Sequence, residues 1–127
     1  MANKNIYELE YQANASPKLL YNYLSTPSGL SEWFADDINS RGDIMEFIWD
    51  DSQASAQVIS KKPNSFIRFK WEDDIDNESY FEMKIQIDEL TKDVSLIITD
   101  FAEEDEMEDA KQLWNAQIAK LLQVLGS

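Results

Sequence analysis

The stretch from Ala110 to Leu125 constrains the fold more than any other. It contains neither Gly nor Pro, and its apolar residues Ala110, Leu113, Trp114, Ile118, Leu121, Leu122 and Leu125 recur at three- and four-residue spacings. At ~100° per residue these positions merge into one broad stripe, with Gln112, Ala116, Ala119 and Gln123 on the opposite side. Six of the seven residues from Glu103 to Asp109 are acids, a charge that suits the positive end of a helix dipole. Gly126 is placed to end the helix. A helix with so wide an apolar face must lie against an apolar surface, and most of the chain before it reads as strand.

Size and charge narrow the rest. A chain of 127 residues, 43% hydrophobic and 12% aromatic, is expected to form one domain with a core that needs no covalent staple. With no cysteine, neither a disulfide framework nor a thiolate metal site is available. Met1 is followed by Ala2, Asn3, Lys4 and Asn5 rather than by a signal-like apolar run, and no apolar stretch approaches membrane-spanning length. A cytoplasmic location is the expectation. The net charge of −14 argues against nucleic acid, whose phosphates require a basic surface, and against insertion at anionic membranes. Histidine is absent, which removes the commonest general base and the commonest metal ligand. Any catalysis would fall to carboxylates, Lys, Tyr or Arg.

Along the chain, Tyr7, Leu9, Tyr11 and Ala13 alternate with Glu8, Glu10 and Gln12, the pattern of a half-buried strand. Ser16-Pro17 then reads as a helix cap followed by proline at the first helical position. Leu19, Leu20, Tyr23 and Leu24 supply that helix with an apolar face. Thr26-Pro27, or Ser28, starts a second short helix carrying Leu30, Trp33 and Phe34. Asp36 to Gly42 is polar and turn-rich. Strands are expected over Asp43–Trp49, Ala54–Ser60, Phe66–Trp71, Tyr80–Asp88 and Val94–Phe101. The connections between them are short: Asp50-Asp51-Ser52, Lys61-Lys62-Pro63-Asn64, the acidic loop Glu72 to Glu78, and Thr91-Lys92-Asp93. Such links imply antiparallel pairing. The result is an α+β domain with six strands, two short helices after the first strand, and a long closing helix on one face of the sheet.

The residues filling this order resemble the START-like, helix-grip (SRPBCC-type) superfamily. The branch most similar is the activator of heat-shock-chaperone ATPase family with its short bacterial relatives. Ala15-Ser16-Pro17, Leu20, Tyr23-Leu24, Pro27, Leu30 and Trp33-Phe34 match the family's opening, and Leu113-Trp114 with Leu121-Leu122 match its closing helix. The resemblance spans essentially the whole chain and brings no catalytic motif. The last strand departs from the family pattern: Asp100-Phe101 stands where a Gly-Phe pair is usual. The fold implied is a curved antiparallel sheet wrapped around the closing helix, with a cavity between them that often takes an apolar ligand.

Residues expected to line such a cavity are Trp33, Phe34, Trp49, Phe69, Trp71, Phe81, Met83, Ile85, Trp114, Gln117, Ile118 and Leu121. The aromatic members serve equally as plain core, because rings supply much of a small domain's buried area. Gln117 falls inside the helix stripe, where a buried amide needs a partner. That partner is a ligand's polar group, a sheet side chain or an internal water. Asp36-Asp37 and the acidic loop Glu72 to Glu78 read as solvated turns, with a hard cation as the alternative, and the run Glu103 to Asp109 reads as a solvated helix start, with docking to a basic surface as the alternative. The loop lacks the glycine and spacing of a calcium loop, and no metal and no cofactor is expected.

The function expected is a non-catalytic binding domain for a small apolar or amphipathic molecule held between sheet and closing helix. The alternative is a protein-interaction module such as a chaperone ATPase co-factor, whose partner would present a basic surface. A carboxylate-based hydrolase or isomerase is the third reading.

Overall fold

The computed structural model describes residues 4–74 and 78–126. The strands and α-helices follow in order: β1 (Lys4–Ala13), α1 (Pro17–Ser25), α2 (Pro27–Leu30), β2 (Asp37–Arg41), β3 (Ile44–Trp49), β4 (Ser52–Lys62), β5 (Phe66–Trp71), β6 (Phe81–Ile87), β7 (Val94–Glu103) and, after a 3-10 turn over Glu104–Glu106, α3 (Met107–Leu125). The strands form one antiparallel sheet of seven in the order β1-β7-β6-β5-β4-β3-β2. The first strand thus pairs with the last, and the remaining neighbours are sequential hairpins. This is the expected α+β architecture with one strand more than the sequence suggested.

The additional strand is β2, inside the segment read as turn. Its five residues include a single apolar one, Ile38, which points inward and is buried. One apolar residue makes no period, so the strand exists because β3 offers it a pairing edge. The β2–β3 turn passes through Gly42 at φ 60°, a left-handed conformation that glycine adopts without a Cβ penalty.

The inner face is assembled by register. Ala54 stands opposite Phe47, Ala56 opposite Trp71, Phe69 opposite Phe81, Ile67 opposite Met83, and Met83 opposite Ile98. The small residues of β4 thus sit across from large rings, leaving room for side chains arriving from above the sheet. A bulge at Ile59 shifts the β4–β5 register between Val58 and Ser60, which bends the strand locally. Ile87, expected to share the inner face of β6, is 49% exposed at the strand's end.

The α1–α2 unit caps one end of the sheet. Ser16 Oγ accepts from the Leu19 N–H at 3.1 Å, and Thr26 Oγ1 accepts from the Gly29 N–H at 3.0 Å, so both helices begin with the side-chain cap their sequences imply. Leu20, Leu24 and Leu30 are fully buried, whereas Leu19, read as part of the apolar face, is largely exposed.

Helix α3 lies across the inner face. It starts at Met107, inside the acidic run and three positions before the expected Ala110, and ends at Gly126 with φ 73°. Trp114, Ile118 and Leu121 are its buried residues, with Met107, Ala110, Leu122 and Leu125 packed beside them. Leu113 is 62% exposed. It sits about 110° around the helix from the centre of the buried face, so its place in the apolar stripe is corrected. No helix among the described residues is long and apolar enough to cross a membrane.

Candidate functional site

Phe34 occupies the middle of the space between sheet and helix. Its ring lies 5.0 Å from Phe47, 5.3 Å from Trp33, and 6.0 Å from both Phe81 and Trp114. Its carbonyl accepts from Trp49 Nε1 at 2.9 Å and, at a longer 3.4 Å, from Gln117 Nε2. The chain leaving α2 therefore carries a ring in among those of the sheet and the closing helix, and its carbonyl is held by an indole of β3 and an amide of α3.

The residues singled out from sequence come together around this ring. Trp33, Phe34, Phe69, Phe81, Met83, Ile85, Trp114, Ile118 and Leu121 are buried in one cluster, with Trp49 and Trp71 packed against it. Gln117 is half-buried at the edge of the helix face, and its partner is a backbone carbonyl rather than a sheet side chain.

An open volume lies further along the same interface, where α3 begins. It measures about 250 Å³ and is lined by Trp71 at the end of β5, by Asp74, Ser79 and Tyr80 of the β5–β6 connection, by Asp100 to Glu103 of β7, by Lys4, and by Glu106 and Ala110 at the helix start. Of the twelve residues expected to line a cavity, Trp71 lines this one and the other eleven do not. Ile75, Asp76 and Asn77 of the acidic loop fall outside the described residues.

Asp100 is the polar centre of this cavity. On β7 it follows Leu96 and Ile98 on the inward register and stands opposite Tyr7. Its Oδ2 accepts from Trp114 Nε1 at 2.8 Å and from the Tyr7 hydroxyl at 3.4 Å, while Oδ1 accepts from the Phe101 N–H at 2.7 Å. Burial pushes the carboxyl above its ordinary range, and the three donors together with the charge of Lys4 pull part of the way back. The Tyr7 hydroxyl is raised strongly, first by burial and then by the neighbouring Asp100 charge. It therefore stays protonated and serves as a donor. Nearby, the Tyr11 hydroxyl donates to Asn115 Oδ1 at 2.6 Å, a second polar tie between β1 and α3.

Negative charge continues at the cavity rim. The carboxylates of Glu103, Asp105 and Glu106 approach one another within 4.8 Å; Glu103 is half-buried and the other two are exposed. Three carboxylates could contribute oxygen ligands to a hard cation, but they also suit the start of α3 through its dipole. The base in the lining, Lys4, meets Asp74 at 3.4 Å. The side chain of Arg68 lies 4.0 Å over the Tyr80 ring and is paired with Glu82 at 2.7 Å on the outer sheet face.

Apolar periodicity marks the core around Phe34 but not Asp100, Tyr80 or the helix start as cavity walls. The available signal was Asp100 itself: an acid continuing the inward register of Val94, Leu96 and Ile98, at the point where the chain departs from the Gly-Phe pattern.

A family model described as a START-like superfamily domain matches residues 1–127. Among solved structures, BfR322 from Bacteroides fragilis is 41% identical, with 98% of this chain and 93% of that one covered at a TM-score of 0.69. The Aha1 dimer from Colwellia psychrerythraea is 18% identical, with 95% and 96% covered and a TM-score of 0.81. Protein MLL2253 from Mesorhizobium loti is 18% identical, with 96% and 97% covered and a TM-score of 0.78. The last two likenesses concern the fold alone. No curated protein matches the chain.

Proposed function

The chain belongs to the START-like superfamily, and from that premise we propose that it is a non-catalytic binding domain that holds a small amphipathic molecule between the sheet and the start of α3. Domains of this superfamily commonly bind small hydrophobic ligands. The observation that carries the reading is the cavity of about 250 Å³ in which Trp71 and Ala110 meet the half-buried carboxyl of Asp100. Trp71, Tyr80, Phe101 and Ala110 give the cavity an apolar side and Asp74, Ser79, Asp100, Glu103 and Glu106 a polar, acidic one, a division that suits an amphipathic molecule.

The test is a titration of amphipathic probes followed by tryptophan fluorescence, together with native mass spectrometry of protein taken from its own host. Saturable quenching that is lost in Trp71→Ala supports the reading. Absence of both a co-purified molecule and any saturable probe binding would reject it.

A second reading is a module that docks a basic protein partner. It is supported by the net charge of −14 and by the exposure of Glu104, Asp105, Glu106, Glu108 and Asp109 around the helix start. Capture of such a partner should weaken steeply as salt screens the contact.

A further inference from the structure

We infer that the molecule taken by this cavity carries a positive charge, as an amine whose ammonium group sits beside Asp100 while its apolar part rests against Trp71. The inference rests on the cavity being the binding site, as proposed above, and adds the chemical class of the occupant.

The lining is unbalanced in charge. Asp74, Asp100, Glu103 and Glu106 face one base, Lys4, and that base already meets Asp74 at 3.4 Å. Arg68 is held by Glu82 on the outer sheet face. A second base, Lys70, donates to the carbonyl of Ser79, another lining residue, at 2.7 Å, and the acids of the lining still outnumber the bases, so an anionic head group would enter against an excess of like charge. A neutral head group would cover Asp100 further from water and return one hydrogen bond to the carboxylate but no opposite charge. An ammonium offsets the burial of the carboxylate with an opposite charge and three donors.

Asp100 also has acceptor capacity to give. A carboxylate can accept about four hydrogen bonds, and those it receives come from Trp114 and Tyr7 on Oδ2 and from the Phe101 N–H on Oδ1. The bond from Tyr7 is long at 3.4 Å. Trp71, with its ring among Phe47 and Phe81, brings a large aromatic surface to the same cavity, against which the apolar part of the molecule rests.

The experiment uses the full chain and three probes of matched shape: 4-phenylbutylamine, 4-phenylbutan-1-ol and 4-phenylbutyrate. Each is titrated at pH 7 with tryptophan fluorescence as the signal. The amine is expected to bind about tenfold more tightly than the alcohol, and the butyrate more weakly than either. In Asp100→Asn the ratio of amine to alcohol affinity should collapse towards one. The double variant Glu103→Gln with Glu106→Gln, altered at the rim, should lower the ratio about threefold and flatten its dependence on salt. Trp71→Ala, read by calorimetry on variant protein shown to be folded because it removes a reporter indole, should abolish binding of both. Alcohol binding with no preference for the amine would overturn the inference while leaving the cavity as a binding site. Amine binding that survives Trp71→Ala would assign it to the general acidic surface and also overturn the inference. Failure of all three probes would remove the binding-site reading and the inference together.

Discussion

The indole N–H of Trp114 donates to Oδ2 of Asp100 at 2.8 Å, so the closing helix is tied to the last strand by a charge-assisted hydrogen bond inside the interface. The ring itself is 6% exposed and packs against Phe34 and Phe81. Two contributions can therefore be separated by substitution. Trp114→Ala removes ring and donor and should cost roughly 3–5 kcal/mol. Trp114→Phe keeps most of the ring, strips Asp100 of its shorter side-chain donor and should cost about 1–3 kcal/mol. Leu113→Ala, one residue away on the exposed side, should change stability by less than about 0.5 kcal/mol. Urea denaturation of the three variants checks the assignment, and a large loss at Leu113 would mean the helix is rotated.

The raised Asp100 carboxyl makes a statement about pH. Because burial lifts its folded-state value above the ordinary 3.8, the folded protein holds this proton after the unfolded chain has released it. This group's contribution to stability is full below about 3.8 and is lost as pH rises through the folded value. Asn at this position has no such proton to lose. The stability of Asp100→Asn relative to the parent should therefore improve between pH 3 and pH 7. Paired thermal melts across that interval measure the difference. A constant difference would mean that the donors from Trp114, Phe101 and Tyr7 fully compensate the burial.

Gln117 has a modest task. Its amide reaches the Phe34 carbonyl at 3.4 Å, and the same oxygen accepts from Trp49 Nε1 at 2.9 Å. Gln117→Leu thus leaves no buried acceptor stranded and should shift stability by less than about 1 kcal/mol. Trp49→Phe removes the shorter bond and should cost about 1–3 kcal/mol. Reversal of that order would show that the amide, not the indole, holds the segment after α2.

Gly29 is where α1 and α2 touch backbone to backbone. A Cβ placed there would lie 2.6 Å from Tyr23 Cα and would also meet the Asn22 carbonyl oxygen. Gly29→Ala has to push the two helices apart and is expected to cost about 1–3 kcal/mol. A chemical denaturation curve that overlays the parent would contradict that close approach.

Salt acts on the whole molecule. With net charge −14 the folded state repels itself, most strongly where acids crowd before α3. The melting temperature should rise from low salt to ~0.15 M, where the Debye length is roughly 8 Å. A flat or falling profile over that range would refute the effect.

Local pattern alone determined much of this protein. The alternation in Tyr7 to Ala13, Ile67 to Trp71 and Phe81 to Ile85 defines strands whose inward residues are those the structure buries or packs against the core. Ser16-Pro17 and Thr26-Pro27 mark helix starts because cap and proline act on their own neighbours. Tertiary structure decided what depends on a partner. Asp37–Arg41 is a strand because β3 lies beside it, although its own residues carry no apolar period. Leu113 faces water and Gln117 reaches Phe34 because the rotation of α3 is set by what packs beneath it, and a stripe of apolar positions leaves that rotation free within some tens of degrees. Asp100 follows the inward register like Leu96 and Ile98, but whether an acid there meets solvent or an indole depends on where the helix crosses. The cavity belongs to the same class: it lies where β7, the β5–β6 connection and the first turn of α3 diverge, a distance between elements that no single segment encodes.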